Sequence, residues 1–254
     1  MTWEFNRRFV DTAIRISPAM ECNYQCNYCS NGLTIPRYTR CDITSWIQGI
    51  RRIPADRFDV VSVSGGEPLL YTDLVELLNT ASERWPTRVY TNLSLDPTSI
   101  LRDLSRPVDW RVSVHYPCDV KKLIHHLDLL SISGKKRDLT VVMVEGTPAL
   151  VEYGDLVRAA GFAPVLDENQ WGVNEKTQGR QPFPVDCTNR IWLFGPDGRR
   201  YPCVRHLMAK QHAGPTLWEM DWTQAKVDVT TRCNQFGTCL ACDGLINSSV
   251  VTVV

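Results

Sequence analysis

The stretch TAIRISPAMECNYQCNYC, residues 12–29, decides the fold, because it joins a β-rich run to a loop that carries three cysteines. The run TAIRIS, residues 12–17, is expected to form the first strand. The loop after it contains Cys22, Cys26 and Cys29. Thiolates at these spacings can surround one small metal centre without a long loop-closure cost. The sequence therefore predicts a metal site at the end of a strand.

Two kinds of metal centre fit these three thiolates. A cubane iron-sulfur cluster has four corners, so three cysteines would leave one iron open for chemistry. A zinc knuckle that borrows a distant fourth ligand is the alternative, as are reduced cysteines with no role. The triplet by itself leaves these interpretations open.

Composition and charge narrow the class of protein. The 254 residues suffice for one large domain, or for a domain with an appendage. No apolar run reaches the roughly 20 residues that span a bilayer, and MTWEFNRRFV lacks the apolar core of a signal peptide, so a cytoplasmic protein without a membrane partner is expected. In that compartment ten cysteines favour metal ligation over disulfides. A net charge of zero gives only weak support for a nucleic acid partner, through arginine pairs.

Short β-rich runs alternate with amphipathic helical segments from about residue 12 to residue 170, which indicates a parallel sheet. Six βα repeats predict an α/β fold, a partial (β/α)6 barrel with ligands at the carboxyl ends of its strands. After the first run, strands are expected at 59–64, 87–92, 109–115, 139–145 and 163–168, and helices at 43–52, 73–84, 97–104, 120–130 and 148–160. Asp42, Asp119 and Thr147 are candidate helix N-caps.

A second motif, Ser64-Gly65-Gly66-Glu67-Pro68, follows the second expected strand. Two glycines leave no Cβ between the backbone and a ligand, so carbonyls and amides can meet a small polar group directly. A glycine pair after a strand is often only a turn. Here it follows the cysteine triplet by one βα unit, at the same end of the predicted sheet.

Together, CNYQCNYC and SGGEP resemble the motifs of the radical S-adenosylmethionine enzymes, over about residues 12 to 170. The resemblance implies that Cys22, Cys26 and Cys29 hold a [4Fe-4S] cluster whose open iron binds S-adenosylmethionine. It also implies reductive cleavage to a 5′-deoxyadenosyl radical that abstracts hydrogen from a substrate. The residues implied or proposed to contact cofactor or substrate are Tyr28, Gly65, Gly66, Glu67, Thr91, Asn92, Ser113 and His115; for His115 a structural role is an equal alternative.

The chain from 183 to 254 differs from the βα series and is rich in cysteine. RIWLFGPDGRRYPC, residues 190–203, predicts a hairpin that turns at Pro196-Asp197-Gly198. Taken alone, a hairpin and a CxxC pair favour a zinc ribbon. Beside the first half, the tail resembles the auxiliary-cluster extensions called twitch or SPASM domains, which implies a second [4Fe-4S] cluster. Its expected ligands are Cys187, Cys203, Cys239 and Cys242, with Cys233 as an alternative.

The expected domains are an N-terminal extension (1–11), a radical S-adenosylmethionine barrel (12–182) and a small cysteine-rich auxiliary-cluster domain (183–254). Cys118 and Cys233 are candidate hydrogen-atom donors, with inert buried thiols as the alternative. The expected substrate is a small molecule of the sugar or nucleoside type; a nucleic-acid base and a peptide are alternatives. An electron donor such as flavodoxin or ferredoxin is the expected partner. A non-catalytic iron-sulfur or zinc interaction protein is the alternative of another class.

Overall fold

The structure, a computed structural model, describes residues 2–3, 12–26, 29, 38–115, 117–143, 148–166, 183–226, 228–236 and 250–253. Its strands are β1 (Thr2–Trp3), β2 (Ala13–Ala19), β3 (Val60–Gly65), β4 (Thr87–Thr91), β5 (Val108–Val114), β6 (Lys136–Met143), β7 (Val165–Leu166), β8 (Phe183–Asn189), β9 (Ile191–Phe194), β10 (Arg200–Tyr201), β11 (Val229–Phe236) and β12 (Val250–Val253). Eight of them form one sheet in the order β10-β9-β2-β3-β4-β5-β6-β7. From β9 to β7 all neighbours are parallel, which confirms the α/β fold and the order of the six expected strands.

Helices connect the parallel strands as the sequence predicts. They are α1 (Ile43–Arg52), α2 (Leu74–Ser82), α3 (Thr98–Asp103), α4 (Val120–Ile132) and α5 (Pro148–Ala159); a further helix, α6 (Val204–Ala209), follows β10. Asp42 accepts a hydrogen bond from the Ser45 amide at 2.8 Å, and Asp119 accepts one from the Lys122 amide at 3.0 Å. Both carboxylates therefore cap their helices as expected. The predicted cap Thr147 lies outside the described residues.

The hydrophobic core lies between the helices and one face of the sheet. Alternate residues of the central strands, such as Ile16, Val63 and Val89, are fully buried there. Leu77 of α2 and Leu127 of α4 pack into the same cluster. Because side chains alternate along a strand, the residues between these apolar ones face the other, concave side of the sheet.

The start of one strand and the pairing of another were not predicted from the sequence. β6 begins at Lys136 rather than at residue 139, because Lys136 pairs with Val108 across an irregularity that brings Asp138 opposite Asp109. The predicted hairpin is present as β9 and β10, with Gly198 in its turn at a φ of 70°. Its strand β9 also pairs in parallel with β2, so the hairpin extends the main sheet.

A second, antiparallel sheet has the order β1-β12-β8-β11. It carries Cys187 on β8 and Cys233 on β11. The boundary expected between residues 182 and 183 stays a prediction. Within the described part of the chain, no helix has the length and apolar character needed to cross a bilayer.

Candidate functional site

The cysteine loop leaves the carboxyl end of β2, at the edge of the sheet where ligands of parallel sheets bind. Cys22, Cys26 and Cys29 are all half-buried, and the Cys29 amide donates to the Cys26 carbonyl at 3.2 Å. Burial raises the pKa of the Cys22 thiol, and the charges of Glu67 and the other two thiols raise it further. The three sulfurs are therefore near enough to one another to interact electrostatically.

The donor set fits a soft metal centre with a polar surround. The Tyr24 amide donates to the Cys22 sulfur at 3.4 Å, and the Asn92 side-chain amide approaches the same sulfur at 3.8 Å. Hydrogen bonds to a ligating sulfur are the usual means of tuning an iron-sulfur centre. Among the described His, Cys, Asp and Glu side chains, no group of three is arranged to hold a single metal ion.

The glycine pair lies directly against the chain that enters the cysteine loop. The Gly66 amide donates to the Ala19 carbonyl at 3.2 Å, and the Glu67 amide donates to the Glu21 carbonyl at 2.7 Å. A Cβ on Gly65 would collide with the Ala19 carbonyl, and one on Gly66 would collide with the Glu21 carbonyl. The glycines are thus needed for the close approach of two backbone segments.

Glu67 is buried and ties two strand ends together. Its Oε1 accepts hydrogen bonds from the Leu69 amide at 3.0 Å and from the Thr91 hydroxyl at 2.6 Å. Its Oε2 accepts one from the Asn92 amide at 2.7 Å. Burial raises the pKa of this carboxyl although the three hydrogen bonds lower it. With both oxygens engaged, Glu67 fixes the end of β4 relative to β3.

The turn after β4 contacts the cysteine loop through an amide network. The Asn92 side chain donates to Asn23 Oδ1 at 3.0 Å, and Asn23 donates to the Ser94 hydroxyl at 2.6 Å. Leu93, which lies between Asn92 and Ser94, has a left-handed φ of 51°. Its carbonyl oxygen lies 2.8 Å from Nδ1 of the buried His126. Strained backbone of this kind persists where its surroundings determine it, and here it presents Asn92 to the loop.

His115 follows β5 and also meets the loop. Its Nδ1 lies 3.6 Å from the Cys26 sulfur, and its ring packs edge-on against Tyr24 with centroids 5.9 Å apart. Burial lowers the pKa of His115 to about 4, so the imidazole is neutral at physiological pH. Cys118 interacts electrostatically with Tyr24, so it lies near the same wall. Four strand ends thus converge on the cysteine loop.

Not every predicted residue takes part in these contacts. Ser113 lies on β5 and is partly exposed, and Tyr28 lies outside the described residues. The sequence reasoning missed Tyr24 and Asn23, whose only signal is their position inside the triplet.

The described cysteines of the tail are Cys187 on β8, Cys233 on β11 and Cys203 at the start of α6. The Cys187 thiol lies 3.8 Å from Asn189 Oδ1, and the Asn189 side chain donates to the Pro202 carbonyl at 2.9 Å, next to Cys203. Opposite Cys187 on β11 is Thr231, so Cys233, two residues further, faces the same side of that sheet. Cys239 and Cys242 lie outside the described residues.

Comparison with known proteins agrees with this geometry. Residues 16–129 match the family model of the Radical SAM superfamily, where SAM is S-adenosylmethionine. This match spans the cysteine loop, the glycine turn and His115. The match supports the expectation of a radical SAM enzyme.

The proteins similar to the chain include one curated relative and two solved structures. A probable GTP 3′,8-cyclase of Methanopyrus kandleri is 31% identical over 80 residues, which are 32% of this chain and only 26% of that protein. Native anSMEcpe with bound AdoMet and Kp18Cys peptide has a TM-score of 0.58 at 12% identity, over 94% of this chain and 88% of the other. BtrN in complex with AdoMet and 2-DOIA has a TM-score of 0.52 at 15% identity, over 84% of each chain. At these identities the two structures confirm the fold.

Proposed function

We propose that the chain binds a [4Fe-4S] cluster through Cys22, Cys26 and Cys29 and uses it to cleave S-adenosylmethionine reductively. The observation that carries this proposal is the meeting of the cysteine loop with the glycine turn, Asn92 and His115 at one edge of the sheet. When bound, the cluster would supply the electron that releases methionine and the 5′-deoxyadenosyl radical, which removes a hydrogen atom from the substrate.

The protein's own residues would position the cofactor and exclude water. Gly65 and Gly66 let the turn after β3 pack directly against the backbone that enters the cysteine loop. Tyr24 and the neutral His115 form an aromatic wall beside Cys26. Exclusion of water protects a reactive radical from side reactions. Tyr28, Thr91 and Ser113 remain proposed contacts of cofactor or substrate.

The test is an anaerobic incubation of reconstituted protein with S-adenosylmethionine and dithionite, followed by chromatography of the nucleosides. The proposed enzyme releases 5′-deoxyadenosine and methionine in equal amounts. A non-catalytic iron-sulfur or zinc interaction protein releases neither, so absence of 5′-deoxyadenosine in protein with a complete cluster would reject the proposal.

A second cluster in the tail is part of the proposal. Its ligands would be Cys187, Cys203, Cys239 and Cys242, with Cys233 as an alternative. The support is that Asn189 links the Cys187 thiol to the residue before Cys203, and that Cys233 faces the same side of its sheet as Cys187. Four thiolates are the usual ligand set of a [4Fe-4S] cluster.

The proposed substrate is a small molecule of the sugar or nucleoside type, acted on in the cytoplasm with flavodoxin or ferredoxin as electron donor. The support is the stretch of similarity to a protein named as a probable GTP 3′,8-cyclase, whose name points to a nucleotide substrate. Modification of a nucleic-acid base or a peptide is the alternative. The candidate reaction outcomes are dehydrogenation, epimerisation, rearrangement and bond formation.

A further inference from the structure

The concave face of the sheet carries charged side chains in one row across four strands. Strand register places Arg15 of β2 opposite Ser62, Ser62 opposite Arg88, and Arg88 opposite Asp109. The residues that flank them along each strand, such as Ile14 and Val89, are in the core on the helix side. Because side chains alternate, the row points away from the helices and into the concavity.

A second row lies one step nearer the rim and contains Tyr90 opposite Arg111. The Arg15 guanidinium lies over the Tyr90 ring, 5.6 Å from its centroid. On the strand between them, β3, the small side chain of Ser62 leaves room for this diagonal contact. Arg15 therefore contacts the residue that lies opposite Arg111 in the sheet.

Positive charge is in excess on this face. Asp109 makes a two-pronged ion pair with Arg137, at 2.7 and 2.6 Å, and lies 3.5 Å from Nε of Arg88. Asp138 pairs with Arg111 at 3.1 Å. Four guanidinium groups thus face two carboxylates among the described residues.

Arg15 contributes to the excess positive charge on this face of the sheet. Its Nε is buried and has no hydrogen-bond partner among the described groups. A guanidinium held over an aromatic ring keeps its remaining N–H groups available in a fixed plane, which suits an oxyanion. A buried donor left unsatisfied is costly, so a bound acceptor would stabilise this arrangement.

We propose that this concave face, with Arg15, Tyr90 and Arg111 at its centre, binds a phosphate group of the substrate. A phosphate monoester carries a charge of about −1.5 to −2 at neutral pH, so it would make a charge-assisted contact with the Arg15 guanidinium. Arginine binds phosphate oxygens in a two-pronged manner that a sugar hydroxyl does not satisfy.

The position of Arg15 defines the length of such a substrate. Arg15 lies four residues before Ala19, the end of β2, which is roughly 13 Å along a strand. A phosphate at Arg15 and a reacting C–H beside the cysteine loop are then separated by about the length of a phosphorylated sugar or a nucleotide. This inference rests on the proposed function and names the substrate class of that site.

The test is anaerobic calorimetry of reconstituted protein, in the presence of S-adenosylmethionine, with ribose 5-phosphate, ribose and glucuronate as probes. Ribose 5-phosphate should bind, and ribose should bind at least roughly tenfold more weakly, because it lacks charge-assisted hydrogen bonds. Arg15→Gln should weaken the binding of ribose 5-phosphate by about tenfold or more, and Arg15→Lys should recover part of this affinity. Arg102→Gln is the matched control, since Arg102 is exposed and pairs with Asp103 on α3.

Each outcome of this experiment decides the proposal. Equal binding by Arg15→Gln and Arg102→Gln, binding of glucuronate alone, or no binding to the wild type would overturn it. If Arg15→Gln fails a thermal-unfolding check, Arg111→Gln carries the same expectation. If the wild-type protein forms 5′-deoxyadenosine but does not bind ribose 5-phosphate, only this inference is rejected. Wild-type protein that forms none rejects the proposed function, whatever the probes do.

Discussion

Cys118 is the cysteine whose surroundings best match a hydrogen-atom donor. It follows β5 at the edge that carries the cysteine loop, and it interacts electrostatically with Tyr24 of that loop. Burial, and then the charge of Asp119, raise the pKa of the Cys118 thiol to about 11. The S–H bond is therefore intact at neutral pH, as donation of a hydrogen atom requires. Cys233 remains a candidate on the second sheet.

Replacement of Cys118 by alanine should separate cofactor cleavage from product formation. Because the donated hydrogen is needed only after the substrate radical forms, Cys118→Ala should still release 5′-deoxyadenosine but give little product. The measurement is chromatography of both species from one incubation with substrate. Cys41→Ala is the control, because Cys41 is also a half-buried thiol but lies beside Gly198 of the hairpin. Unchanged product yield in Cys118→Ala would remove Cys118 from this role.

At the scale of single residues, the sequence predicts the motif residues but not the side-chain contacts between strands. Cys22 and Gly66 are recognisable because their meaning lies in local spacing. The Arg15 contact with Tyr90 depends on the register of three strands, and linear order does not fix that register. Asn189 likewise gains significance only when the hairpin brings Pro202 to it.

Among the elements, the order of the parallel strands is predicted well because each contains an apolar run and helical segments separate them. The start of β6 is wrong by three residues, since the charged segment Lys136–Asp138 pairs with β5 in spite of its polarity. The hairpin was expected, but its parallel pairing with β2 was not. The sequence pattern of a hairpin predicts only the pairing of its own two strands. It does not indicate which strand of the main sheet the hairpin pairs with.

The turn after β3 is the element whose geometry tolerates least change. Gly66→Ala would press a Cβ against the Glu21 and Met20 carbonyls, which belong to backbone and cannot rotate away. Overpacking of this kind costs roughly 1–3 kcal/mol, and the displaced loop should also cleave less S-adenosylmethionine. Denaturant unfolding and a 5′-deoxyadenosine assay measure the two effects. Gly214→Ala, which meets only ordinary contacts, should change neither. Wild-type stability and turnover in Gly66→Ala would show that the close approach is dispensable.

At the scale of the whole molecule, the proposed cluster site and the proposed phosphate site lie at different depths of one sheet. The rim holds the cysteine loop, with Glu67 and Asn92 fixing its neighbours, and the face of the sheet behind it carries the buried Nε of Arg15. The carboxyl edge was predictable, because parallel βα units place it by topology. The polar face of the sheet was not predictable, because the sequence alone does not distinguish an arginine on this face from an arginine on the protein surface.

The most direct test of the central claim is the formation of 5′-deoxyadenosine by Cys22→Ala, Cys26→Ala and Cys29→Ala, each reconstituted anaerobically and supplied with dithionite. The account predicts that none forms 5′-deoxyadenosine and that each retains about four of the roughly eight irons of the wild type, those of the tail cluster. Cys41→Ala should behave as the wild type. Persistent cleavage of S-adenosylmethionine in any of the three variants would contradict the account.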